Sequence, residues 1–358
     1  MTRVLAAVLV ALTLSPAASA AAPKRADLGQ IARGLVRAGA PGAIVYVRTP
    51  TATRAGTAGW ADRAAHVSMR AADRYRIASV TKAFVSVVIL QLEAEGKVDI
   101  DDSVEKYAPG LVPKGAGISL RALLNHTSGL FDYAADRDFG EAILGDPARV
   151  WTPRDVLAYA FAHPPDFAPG TNWGYSNTNY ILLGLVAEAV TGEPLGQTLQ
   201  KRIFTPLELT STSFPLTIEL APDFVHGYFK LSSDTPFVDA APLLGPSWGW
   251  AAGGIVSNAH DETLFYRGLL TGKLLPAAQL DEMETTSPLA GSYGLGIEKL
   301  LTKCGRAYGH EGDFIAWRNE VLATANGKRQ AVVMVNVDQT SVSWRRMYAD
   351  AQTALCRG

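Results

Sequence analysis

The chain has 358 residues, 48% of them hydrophobic and 19% charged, enough for one large domain or two smaller ones with an ordinary soluble composition. The 33 Lys and Arg residues against 34 Asp and Glu give a net charge of −1, which excludes a basic nucleic-acid surface or a polybasic membrane contact. The two cysteines, with no Cys-x-x-Cys or His-x-x-x-His pattern nearby, make no ordinary zinc site, and no metal or organic cofactor is implied.

Residues 1–20 read as a signal peptide. Arg3 gives a basic start, Val4 to Leu14 are almost wholly apolar, and Ala18-Ser19-Ala20 is a small-residue cleavage site. The apolar run is too short to span a bilayer and no later stretch reaches that length, so the expectation is a secreted product without a membrane anchor, cleaved after about Ala20. Asp27 to Ala38 is patterned as an amphipathic helix, and Gly42–Arg48 and Arg54–Trp60 as paired antiparallel strands. Tyr75–Ala78 is a short extended piece. From Ser79 to Gly96 the residues are apolar on nearly every side, the pattern of a helix buried in a core. Residues 98–245 read as helical and loop-rich. Ser119 caps one helix, Thr152-Pro153 opens another, and Asn177 or Thr178 opens a third. Asn258 starts a helix to Leu270. Tyr293–Ile297, Arg306–Gly309, Ile315–Leu322 and Ala331–Val337 read as strands, and Ser343–Leu355 as a closing helix. Cys304 and Cys356 either form a disulfide, as export favours, or remain two buried thiols. A bridge closing that loop stabilises by about 4 kcal/mol.

Ser-x-x-Lys occurs twice. Ser103-x-x-Lys106 lies among Asp99, Asp101, Asp102 and Glu105 and reads as a solvated helix start capped by Ser103. Ser79-x-x-Lys82 opens the apolar helix. There the helix N-terminus favours developing negative charge, and Lys82, about 4.5 Å along the axis and roughly 60° round, can reach back to the serine. Burial lowers a lysine's pKa and fits it to act as a base. Gly245-Pro246-Ser247-Trp248-Gly249 matches Gly-x-Ser-x-Gly but lacks the strand and helix that a nucleophile elbow needs. Two further polar patterns follow Ser79: Tyr175-Ser176-Asn177 in a loop, and His310-Glu311-Gly312 between two predicted strands, where Gly312 lets a substrate backbone come close. His126 reads as ordering its loop, and Trp173 and Trp248 as cleft or core residues.

In this order the three patterns, with Leu123–Leu130 and Ala252–Ser257, resemble the penicillin-recognising serine hydrolases: class C β-lactamases, the secreted Streptomyces-type DD-peptidase and related esterases. The resemblance spans most of the mature chain. It implies an α/β fold of the β-lactamase/DD-peptidase type, with an antiparallel sheet flanked by helices from both termini (21–97 and 246–358) and an all-helical insert (98–245). It implies acylation of Ser79, proton transfer shared by Lys82 and Tyr175 with each lowering the other's pKa, substrate amide binding by Asn177, and an oxyanion hole from the backbone N–H groups of Ser79 and Asp313. His310 stands where many relatives carry lysine, and Cys304–Cys356 looks like the DD-peptidase's disulfide.

The departures bear on substrate. The DD-peptidase has Thr where this chain has Glu311, and an Arg where Glu298-Lys299 stand, both of which hold a substrate carboxylate there. Glu311 repels a carboxylate within about 4 Å by about 1 kcal/mol in water and by more in a partly buried cleft. The expectation is therefore a small-molecule or peptide substrate (stem peptide, β-lactam or ester) in which an ester, or an amide bearing an amine near the scissile bond, is preferred to D-Ala-D-Ala. A non-hydrolytic penicillin-binding protein or sensor is the competing reading. No nucleic acid and no protein partner are predicted.

Overall fold

The computed structural model describes residues 25–218, 220–232, 234–338 and 342–358. The expected signal peptide lies outside the described residues. Among the described residues eleven strands run β1 (Gly42–Arg48), β2 (Thr53–Asp62), β3 (Val67–Ser68), β4 (Tyr75–Arg76), β5 (Tyr228–Phe229), β6 (Val238–Asp239), β7 (Val256–Ser257), β8 (Glu298–Thr302), β9 (Gly305–Phe314), β10 (Trp317–Thr324) and β11 (Gln330–Val335). The helices are α1 (Leu28–Arg37), α2 (Thr81–Ala94), α3 (Val104–Tyr107), α4 (Leu120–Leu124), α5 (Arg137–Gly145), α6 (Pro153–Phe161), α7 (Asn177–Thr191), α8 (Leu195–Leu199), α9 (Trp250–Gly253), α10 (Ala259–Leu270), α11 (Ala277–Glu284) and α12 (Trp344–Arg357).

Seven strands form one antiparallel sheet in the order β3-β2-β1-β11-β10-β9-β8. Gly42–Arg48 reads as an unbroken apolar run because both its faces are covered. Ala43, Val45 and Val47 pack with Leu28, Leu35, Met347 and Leu355 of α1 and α12, whereas Ile44 and Tyr46 face the larger core that holds α2, α7 and α10. The Asp27 carboxylate caps α1, Asn258 caps α10 and Ser343 caps α12, as their positions before each apolar period predict. Cys304 in the β8–β9 turn is disulfide-bonded to Cys356 of α12.

Three expectations are corrected. Tyr293–Ile297 is not a strand: a methyl group on Gly296 would sit 2.1 Å from Ser86 Oγ, and one on Gly294 2.3 Å from the Met283 carbonyl oxygen, so the glycines mark a loop pressed against the core. His310-Glu311-Gly312 lies within β9 rather than between strands. Residues 98–245 are not all helical, because β5 and β6 pair as a two-stranded ribbon.

Candidate active site

Ser79 sits in a single 3₁₀ turn, Ala78–Val80, that leads into α2, so the regular helix starts two residues later than the sequence suggests. The turn is held by the Ile77 N–H, which donates to the Ile255 carbonyl across from β7. Ala78, fully buried, has φ of 51°, a left-handed conformation that costs a non-glycine residue energy and persists only where its surroundings enforce it. The turn leaves the Ser79 side chain half-buried at the floor of a cleft of about 910 Å³.

Lys82 is fully buried on α2. Its ammonium donates to Ser79 Oγ at 2.9 Å, to Asn177 Oδ1 at 2.8 Å and to the Ala252 carbonyl at 2.8 Å. It also lies 4.9 Å from the centre of the Tyr175 ring. Burial brings its pKa down to about 7, against the opposing pull of the Asp132 carboxylate. Near neutral pH a large fraction of Lys82 is therefore an uncharged amine in contact with Ser79.

Asp132 escaped the sequence reading. It accepts hydrogen bonds from the Asn177 backbone N–H at 3.1 Å and from Asn177 Nδ2 at 3.0 Å, which turns the Asn177 carbonyl oxygen towards Lys82. Its only sequence signal is a turn-forming Asp that also accepts from the Ala134 N–H, a common local motif.

The Tyr175 phenol is pushed well above its ordinary pKa, chiefly by burial, while Ser79 beside it pulls the other way. This corrects the expectation that Lys82 and Tyr175 lower each other: the lysine is lowered by burial, and the tyrosine remains a protonated phenol. The His126 ring lies 4.3 Å from that of Tyr175. His126 Nδ1 accepts from the Ser176 N–H and from Asn179 Nδ2, so this histidine orders the Tyr175 loop as expected.

β9 forms the opposite wall. Its register with β8 stops at Gly309, while β10 continues to pair with it up to Phe314. From His310 to Phe314 one strand edge therefore faces the cleft, and alternate N–H groups of an antiparallel strand point to such an edge. Gly312 is required by close packing rather than by substrate approach. A methyl group there would sit 2.3 Å from the Ile77 carbonyl oxygen and 2.2 Å from Asn319 Oδ1. His310 is buried, with both ring nitrogens engaged. Nδ1 donates to the Glu311 carbonyl and Nε2 accepts from the Tyr293 hydroxyl at 2.8 Å. Burial, with the Lys82 charge, lowers its pKa to about 3, so His310 is a neutral residue and no counterpart of a lysine.

Glu311 and Asp313 alternate with His310 and Gly312, so their side chains leave β9 on its other face, yet both line the cleft where the strand edge is open. Among the described lining residues, the wall there carries Glu298, Glu311, Asp313 and Asp338 against Lys230 as the one lysine or arginine, with the buried Arg318 3.5 Å from Asp313 behind it. Burial raises Asp313 to about 6 and Glu298 to about 7. Lys299 is not among the lining residues; its neighbour Glu298 is. Trp173 and Trp248 both line the cleft, which also has Phe139, Ile143 and Phe314 along its apolar side.

The other serine patterns carry no such partners. Ser103 Oγ caps α3 and donates to the Gly115 carbonyl, and Lys106 pairs with Asp102 at 2.6 Å. Ser247 Oγ is buried and accepts from the Trp151 N–H.

The profile of the family described as Beta-lactamase matches residues 28–354. The chain belongs to the beta-lactamase family. Among solved structures of similar fold, a D-stereospecific amidohydrolase from Streptomyces sp. is 38% identical with a TM-score of 0.84, covering 92% of this chain and 98% of its own. The D-amino acid amidase of Ochrobactrum anthropi SV3 is 26% identical with a TM-score of 0.80, covering 92% and 96%. An octameric penicillin-binding protein homologue from Pyrococcus abyssi is 25% identical with a TM-score of 0.76, covering 88% and 74%. Curated relatives from Bacillus subtilis and Escherichia coli, 31% and 28% identical, align over 67% and 62% of this chain, which spans 57% and 58% of their lengths. The fold, an antiparallel sheet flanked by helices, is the one this beta-lactamase family member was expected to have.

Proposed function

We propose that this chain is an exported serine hydrolase that cleaves amide or ester bonds through an acyl-enzyme at Ser79, with D-aminoacyl amides and esters as its substrate class. The observation that carries the reading is the buried Lys82 amine, hydrogen-bonded to Ser79 Oγ at 2.9 Å with its pKa at about 7. Uncharged Lys82 takes the Ser79 proton as Oγ attacks the carbonyl carbon. The N–H groups of Ser79 and Asp313 receive the oxyanion, and Asn177 holds the substrate amide. The Tyr175 phenol protonates the departing nitrogen or oxygen, and the Lys82 ammonium restores that proton. Water then attacks the ester carbonyl, passes a proton to Lys82 and releases the acid, and Ser79 is reprotonated.

The cleft's charge supports the substrate class. A free amine near the scissile bond meets Glu298, Glu311, Asp313 and Asp338, whose charge Arg318, 3.5 Å from Asp313, offsets only in part, whereas a substrate carboxylate meets the same acids with Lys230 as the lining cation and a histidine whose two ring nitrogens are already engaged. Similarity to a D-stereospecific amidohydrolase and a D-amino acid amidase points the same way. The Cys304–Cys356 disulfide fits an oxidising compartment and therefore export.

The test pairs Ser79→Ala with substrate panels. Wild-type protein turns over D-phenylalanine amide and methyl ester faster than their L-forms and faster than a D-Ala-D-Ala peptide, and forms an Ser79-linked acyl adduct visible by intact mass; the variant does neither. An unaltered rate in Ser79→Ala sinks the mechanism. A penicillin label that persists, with no turnover of any amide or ester, supports a penicillin-binding protein or sensor instead.

A further inference from the structure

Glu262 lies in the first turn of α10 and is completely buried. Its Oε1 accepts from the Tyr75 hydroxyl at 2.5 Å and its Oε2 from Asn319 Nδ2 at 2.8 Å. Those partners sit on elements that are far apart in sequence but adjoin the reaction centre. Tyr75 is on β4, four residues before Ser79, and Asn319 is the β10 residue paired with Gly312 of β9. The segments that carry these partners also meet on the other side. The Ile77 carbonyl and Asn319 Oδ1 converge on Gly312, where even a methyl group would lie within 2.3 Å of both. The contacts close a ring: Tyr75, Ile77, Gly312, Asn319 and back through Glu262. Ser79 follows Ile77 by two residues, and Asp313 follows Gly312 by one.

We propose that Glu262 is a positioning residue that fixes the separation between the Ser79 turn and the β9 edge, and so holds the two N–H groups of the oxyanion hole in register. The inference rests on the proposed acyl-enzyme chemistry. A carboxyl group with one oxygen on Tyr75 and the other on Asn319 spans the gap, and an apolar residue of similar size fills the space but leaves the Tyr75 hydroxyl and the Asn319 amide without partners. Gln keeps one acceptor for Tyr75 and can offer its N–H₂ to Asn319 Oδ1, which has no hydrogen-bond partner in the native site. Because the oxyanion exists only in the transition state, loosening this ring lowers kcat and leaves KM little changed.

The experiment uses full-length Glu262→Leu, Glu262→Gln and Tyr75→Phe with an amino-acid ester as substrate. A boronic acid, which forms a tetrahedral adduct on a serine, serves as the probe of the oxyanion hole. The expected result is a kcat at least tenfold lower in Glu262→Leu with KM within about twofold, a parallel loss of boronate affinity, a smaller loss in Tyr75→Phe, and recovery of most activity in Glu262→Gln. Circular dichroism and thermal melting establish that each variant is folded. Should Glu262→Leu misfold, Tyr75→Phe carries the test, since it deletes only one hydroxyl. Wild-type kcat and boronate affinity in the folded variants, or equal loss in Leu and Gln, overturns the proposal. Ser79→Ala separates the two levels: if it stays active the acyl-enzyme reading fails, whereas an inactive Ser79→Ala beside an unimpaired Glu262→Leu removes only the role of Glu262.

Discussion

At Lys82 three acceptors converge on one amine that has no surface open to water. The cost of keeping a charge there brings the group to a pKa of about 7. A base must be uncharged to act, so kcat/KM falls about tenfold per pH unit below that value, read from a pH–rate profile on a neutral ester. The Asp132 carboxylate favours the charged lysine, so Asp132→Asn moves this acid limb to lower pH, even as it lowers the rate through Asn177. Gly312 is as constrained as the chemistry. Gly312→Ala pushes a methyl group into the Ile77 carbonyl and Asn319 and costs about 1–3 kcal/mol, visible as a lowered denaturation midpoint, with activity lost alongside. The residues that carry this chemistry were legible in the sequence where their surroundings were. Ser79 stood out from Ser103 because the helix behind it is apolar all round, and that helix is buried from Thr81 to Leu90. Asp132 was not legible, since its partner Asn177 comes 45 residues later and nothing in a turn-forming aspartate announces it.

Among the elements, α10 shows a conflict between local and tertiary roles. A glutamate in a first helical turn reads as a surface complement to the helix dipole. Here the turn faces the sheet, and burial raises Glu262 to about 8. A carboxyl that is harder to ionise in the fold than in the open chain binds extra protons when folded. Stability therefore falls as pH rises from about 4.5 to 8, by at most roughly 1.4 kcal/mol per pH unit. Urea melts across that range show this slope for the native chain and a flatter one for Glu262→Gln. The β8–β9 hairpin shows another case, a link that two cysteines left open in the sequence and the fold closes. Replacing Cys304 and Cys356 by Ser removes a constraint worth about 4 kcal/mol on the open chain and lowers the melting temperature. Tyr293–Ile297 was misread because apolar and small residues alternate there as in a strand. Its glycines serve instead to bring backbone against Ser86 and Met283, which no periodicity reports.

For the whole molecule, the fold class was legible because strands at both ends with helices between leave few ways to bury each face. The open edge of β9 was not, since it depends on where β8 stops. That edge gives the cleft its acidic wall, and the wall sets a preference that belongs to the molecule rather than to one residue. N-acetylating the amine of a good amino-ester substrate lowers kcat/KM by about tenfold or more, and added salt narrows the difference, as steady-state rates at two ionic strengths will show.

The pairing of β1 with β11 has a further consequence in time. The Gly42 N–H bonded to the Asn336 side chain joins residues 294 positions apart, so the central sheet cannot close until almost the entire chain is available. Closing so large a loop before any contact rewards it makes folding slow. A chain delivered N-terminus first thus keeps its central sheet unclosed until synthesis has passed β11.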